Sequence, residues 1–198
     1  MATEEISLDK LVQLNERNAL ALSRPRAVTE ALAKLALRER RRRFVEARGP
    51  DGKPWARNAP VTTLVKGAGK RPLSGTGRLR GDLSYRLQSD TVAVIGVRVI
   101  YGPVHQKGGV IRPVRAKYLA IPTRPEAARA GSPRNVADLV CIKTGKGLIL
   151  AKVTARAVHI WYLLRKEVKI EERPFLGSSP KEEEAFGKEV ISLLKEQL

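Results

Sequence analysis

The chain has 198 residues, of which 42% are hydrophobic and 29% charged, a balance typical of soluble globular proteins and long enough for one domain, residues 1–198, with a sizeable core. No apolar run approaches the roughly 18–20 residues of a membrane span. The acidic start Met1-Ala2-Thr3-Glu4-Glu5 lacks the basic-then-apolar order of a secretory signal, so the expectation is synthesis and residence in a cytoplasm or in a particle assembled there. The net charge of +18, from 38 Lys and Arg against 20 Asp and Glu, favours a polyanionic or acidic partner and opposes self-association at low salt.

In chain order, Ser7 is placed to cap a helix whose apolar residues Leu8, Leu11, Val12, Ala19 and Leu22 recur at about 3.6 residues, with polar Asn15 the one interruption. Ser23-Arg24-Pro25 ends it. A second helix is expected from Ala27 to Ala47, with Val28, Ala31, Leu32 and Leu35 on one stripe, followed by the basic run Arg38 to Arg43 and Phe44. The pair makes a helical hairpin over residues 7–47. Arg48-Gly49-Pro50-Asp51-Gly52 breaks the second helix, because proline lacks the amide and glycine permits positive φ. Lys53 to Gly75 has no sustained period and reads as an exposed loop.

Thr76 is a candidate cap for a short helical turn. Leu83 to Leu87 and Val92 to Val97, joined through Gln88-Ser89-Asp90, read as a β-hairpin and the nucleus of a sheet. Val110 to Arg134, rich in Pro and basic residues, reads as a second long loop. Leu139 to Ile142 and Leu148 to Ala151 flank Lys143-Thr144-Gly145-Lys146-Gly147 as a second hairpin. Strand character returns at His159 to Leu164 and in the alternation of Val168 and Ile170. Ser179-Pro180-Lys181-Glu182 has capping-box spacing with proline at the first helical position, and Ala185, Phe186, Val190, Leu193 and Leu194 supply one apolar face for a helix over about 180–197. Helices, then strands, then a helix argue an α+β fold with a mostly antiparallel sheet core over about 76–176.

Catalytic chemistry finds no constellation here. His105 has no Ser or Cys nucleophile in a recognisable elbow and no carboxylate beside it, so its expected role is structural, the imidazole bonding backbone in the loop before Gly108-Gly109. His159, in an apolar strand, is read the same way. Cys141 is the only cysteine, which excludes an intrachain disulfide and a thiolate metal cluster; it is expected as a small buried apolar residue. Gly67-Ala68-Gly69-Lys70 and Thr144-Gly145-Lys146-Gly147 lack Walker spacing and read as turns. No cofactor, metal or small-molecule substrate is implied. Arg40, Arg41, Arg42 and Arg43 spread around a helix at about 100° per residue. They serve either as a solvated or intrachain-paired face, or as a contact for an acidic protein or a phosphate backbone.

Four short islands remain: Pro50-Asp51-Gly52 with Trp55; Thr76-Gly77 with Leu79; Tyr101 with His105-Gln106 and Gly108-Gly109; and Arg173-Pro174-Phe175-Leu176-Gly177. In this order and spacing the chain resembles the bacteriophage virion-morphogenesis, or tail-completion, family of the head–tail junction, of the kind found in Mu-like phages. One departure is the Glu171-Glu172 lead-in, where the family commonly has an Ile-Pro-Ala type. The resemblance implies a non-enzymatic assembly protein of the virion tail or neck, made in the bacterial cytoplasm. It also implies a homo-oligomeric ring, six-fold to match the tail tube, with tail-tube and head–tail connector proteins as neighbours and no membrane. The rival reading is a basic nucleic-acid-binding protein. Its support is the +18 charge, and against it stand the few aromatics and the lack of a helix-turn-helix or zinc signature.

Overall fold

The computed structural model describes residues 2–7 and 25–195. Its helices and antiparallel strands form the expected α+β fold. The first helix of the expected hairpin, Leu8 to Leu22, lies outside the described residues; Ser7 closes a strand. By its contacts the chain divides into two compact units, one of residues 1–55, 76–107 and 172–198, the other of residues 56–75 and 108–171.

The first unit is built on helix α1 (Pro25–Glu46) and a three-stranded sheet in which β3 (Val92–Val97) lies between β1 (Ala2–Ser7) and β2 (Ser84–Leu87), all antiparallel. Ala93, Ile95 and Val97 of the central strand, alternate residues on one face, are buried. The buried side of α1 carries Val28, Thr29, Leu32, Ala33, Ala36, Arg40, Arg43 and Phe44. These positions recur every three or four residues, which is the helical period. The stripe is rotated from the expected one. Ala33 and Ala36 are wholly buried, whereas Ala31 and Leu35 are only half-buried. Thr29 Oγ1 donates to the Asp90 carbonyl at 2.8 Å and the Tyr85 hydroxyl to Glu30 at 3.2 Å, tying α1 to the β2–β3 hairpin.

In the second unit, β5 (Leu119–Pro122), β8 (Val158–Arg165), β7 (Gly147–Val153) and β6 (Val140–Thr144) form an antiparallel sheet in that spatial order. A separate ribbon pairs β4 (Gly109–Ile111) with β9 (Val168–Ile170). The β6–β7 hairpin is tighter than the five-residue turn expected, because Thr144 already pairs with Gly147. Tyr162 is fully buried and its hydroxyl donates to the Ala127 carbonyl at 2.9 Å.

Both expected loops contain helices. Helix α2 (Pro60–Lys66) and helix α5 (Pro125–Ala130) each start on a proline, whose fixed φ and missing amide suit the first turn. The segments are too short for their period to emerge from sequence. Cys141 is exposed, contrary to expectation, since β6 is the edge strand of its sheet and its side chains lie largely open.

The second unit is followed in the chain by helix α6 (Pro180–Lys195), which belongs to the first. Its capping box forms as expected: the Glu182 amide donates to Ser179 Oγ at 3.3 Å and the Ser179 amide to Glu182 Oε2 at 3.2 Å. Phe186 and Val190 are buried, while Ala185 is exposed.

Candidate functional site

Every one of the four islands lies at a point where the chain passes between the units. The first ends on Trp55, the last residue before the second unit begins. The next opens on Thr76, where the chain returns; the third spans the exit at Lys107–Gly108; the fourth follows the final return at Glu172.

Three islands meet within the first unit around Phe175. Phe44 packs edge-on to Trp55, ring centroids 5.4 Å apart, and lies 5.5 Å from Phe175. Trp55 Nε1 donates to the Pro174 carbonyl at 3.0 Å. Gln106 Oε1 accepts both the Phe175 and the Leu176 amides, each at 3.0 Å. The Arg173 amide donates to the His105 carbonyl at 2.7 Å. Phe175, Leu176 and Trp55 are buried. Each of these polar partners satisfies a backbone group that burial would otherwise leave unpaired.

The turn of the first island is closed by local bonds. Asp51 Oδ1 accepts the Lys53 amide at 3.1 Å, and this holds the Asp51 carboxyl below its ordinary range. The Gly49 amide donates to the Lys53 carbonyl at 2.9 Å. A Cβ on Gly49 would stand 2.9 Å from Asp51 Oδ1 and 3.4 Å from Pro174 Cγ, so a side chain there would displace the Asp51 carboxylate that closes the turn.

Helix α3 (Arg78–Asp82) follows the second island. Its capping position is Gly77, not Thr76, in the left-handed region at φ 75°; Thr76 Oγ1 instead receives the Arg78 amide at 3.4 Å. Leu79 is buried. At the end of α3, Asp82 Oδ2 accepts the Val99 and Arg98 amides at 2.9 and 2.5 Å, and its carboxyl is held below the ordinary range, chiefly by the Val99 amide and further by that of Arg98.

His105 and Gln106 lie in helix α4 (Gly102–Lys107), not in a loop. The His105 ring stands edge-on to Tyr101 at 5.9 Å, and its backbone carbonyl holds the fourth island. Gln106, marked in sequence only as a motif residue with no role of its own, makes the more specific contact. Gly108 and Gly109 then lead into β4 with φ of 67° and 150°. His159 is exposed on β8.

The arginine run divides. Arg40 is wholly buried with its guanidinium 5.6 Å from the Phe186 ring and 3.9 Å from Glu182. Arg43, also buried, donates to the Phe175 carbonyl at 3.1 Å and to Glu182 Oε2 at 2.5 Å. These two are therefore internal: for them the intrachain-paired alternative holds, and they offer no contact surface. Arg41 reaches the Leu83 carbonyl at 2.9 Å, and exposed Arg42 pairs with Glu39 and Glu46. A signal was present: Arg40 continues the stripe of Leu32 and Ala36 at intervals of four. Glu182 thus serves the capping box, Arg40 and Arg43 at once.

Among the described residues, no group of three or more His, Cys, Asp or Glu could hold a metal ion, and no helix is long and apolar enough to cross a membrane. The arrangement is a clasp of backbone bonds around aromatic rings, held by a buried ion pair. What it can do is fix the chain at its crossings and join the C-terminal segment to α1.

The chain is thus an antiparallel α+β protein whose motif residues tie down its own crossings. Residues 6–132, well over half of the chain, match the phage virion morphogenesis family, and the protein belongs to that family. The match takes in the first three islands and ends before the fourth. Its role therefore lies in virion assembly. No curated protein and no solved structure matched the chain.

Proposed function

We propose that the protein completes the phage tail, as a non-catalytic part that docks at the end of the tail tube or at the head–tail junction. In this reading it forms a homo-oligomeric ring, six-fold to match the tube, with tail-tube and connector proteins as neighbours, and it resides in the tail or neck of the virion after assembly in the host cytoplasm. The observation that carries the reading is the family match over residues 6–132. The clasp supports it physically, because a part that locks two other assemblies together needs a rigid body from which to present its contacts.

Deletion of the gene tests the proposal by electron microscopy of the lysate. Filled heads and tails that fail to join, or tails of abnormal length, are the expected outcome. Normal infectious particles from the deletion would overturn it.

A further inference from the structure

The basic charge is unevenly divided between the units. The second carries 17 of the 38 Lys and Arg but only 4 of the 20 Asp and Glu, leaving 21 and 16 to the first. The second unit is the smaller, and it holds a net +13 of the total +18. Of the ten large hydrophobics that stand exposed among the described residues, eight belong to this unit: Val45 and Ile100 are the exceptions.

Four of the eight share one face of the sheet. Val153 pairs with Val158 across β7 and β8, and Ala151 pairs with Val140 on one side and Ile160 on the other. Directly paired residues lie on the same face, as do Ala151 and Val153, two apart on one strand. Val140, Val153, Val158 and Ile160 are 50%, 55%, 54% and 40% exposed, whereas Ala151 between them is buried. Exposed Arg156 lies in the β7–β8 turn between Val153 and Val158, and exposed Lys146 in the β6–β7 turn at the other end of the strands, whereas Lys143, three residues from Val140, falls on the opposite face.

We propose that this sheet face is a docking surface for an acidic protein of the virion, with the four aliphatic side chains at its centre and basic residues at its rim. An apolar centre with a polar rim is the anatomy of a protein interface, and the sign of the charge selects an acidic partner while repelling a second copy of the same unit. DNA fits less well. β-branched aliphatics do not stack on bases, and of the unit's three aromatics Tyr162 is buried, Trp161 lies under Arg124 and Lys152 at 5.5 and 5.0 Å, and half-buried Tyr118 has Lys117 5.9 Å from its ring. The proposal deepens the assembly reading and rests on it.

The test uses the full chain supplied to a phage lacking the gene, with a photo-crosslinking residue at position 158. The expected adduct joins it to a virion protein through a segment of net negative charge. An adduct to DNA or to a second copy, or no adduct in particles that assemble, would overturn the assignment. In parallel, threonine at 140, 153, 158 and 160 keeps strand propensity while removing apolar surface; with circular dichroism and melting unchanged, titre is expected to fall by about tenfold or more. Undiminished titre from that folded variant also overturns it. Infectious particles from the gene deletion itself would instead refute the assembly reading.

Discussion

Gln106 and Arg43 hold the fourth island through side chains that sequence inspection would rank below His105. In Gln106→Ala the Phe175 and Leu176 amides lose their shared acceptor, and unfolding by denaturant is expected to show a loss of about 1–3 kcal/mol. Gln106→Glu keeps the acceptor oxygens and should retain most of that stability. Arg43→Gln leaves Glu182 without its closest cation, and a loss of about 3 kcal/mol is expected by the same measurement. Arg42→Gln removes only exposed pairs and should stay within about 0.5 kcal/mol. Equal effects at 42 and 43 would contradict the division of the arginine run. Asp82 gives a pH dependence of known sign. Its folded pKa is depressed, mainly by the Val99 amide, so its contribution is fully present above its unfolded pKa, about 3.9, and is lost as pH falls through the lower folded value. Melting curves of wild type and Asp82→Ala should therefore differ at neutral pH and converge in acid.

At the level of the element, helix starts decide how well the short pieces hold. Helix α3 begins on a left-handed Gly77 with nothing within 4 Å of an added Cβ. Gly77→Ala is thus a clean measure of backbone strain, and a destabilisation of about 1 kcal/mol is expected in thermal or chemical unfolding, with no steric component. Thr76→Ala should cost less, because its hydroxyl receives only a long 3.4 Å bond. The opposite order would return the capping role to Thr76. For α6, the sequence pattern Ser179-Pro180-Lys181-Glu182 was sufficient, since a capping box is satisfied within four residues. That Glu182 also neutralises two buried guanidinium groups from α1 could not be read there, because the partners lie some 140 residues earlier in the chain.

For the whole molecule, an excess of 18 positive charges opposes compaction through self-repulsion. The screening length falls to about 10 Å at 0.1 M salt, so moderate added salt is expected to raise the melting temperature. The exposed ion pairs weaken under the same screening but contribute little individually. A melting temperature that falls with salt would show that those pairs outweigh the repulsion. The concentration of charge in one unit makes the repulsion largest there, and charge-neutralising substitutions in residues 108–171 should reduce the salt effect more than the same number in the first unit.

Residues near one another in the chain determined what local physics can decide. The α+β class, α1, the two hairpins, the strand at His159 to Leu164 and the capped C-terminal helix follow from periodicity, turn chemistry and capping over windows of four to twenty residues. The family, too, was legible, in motifs whose order and spacing survive without any knowledge of their contacts. Tertiary structure alone decided that those motifs stand at the crossings between two units, that Gln106 and Trp55 hold the backbone around Phe175, and that Arg40, whose helical stripe hinted at its burial, and Arg43 meet Glu182 inside while Cys141 and His159 face out. Burial of an arginine depends on a carboxylate arriving from a distant helix, and exposure of a cysteine depends on which strand of the sheet has a neighbour on one side only. Neither is a property of the residue or of its sequence window.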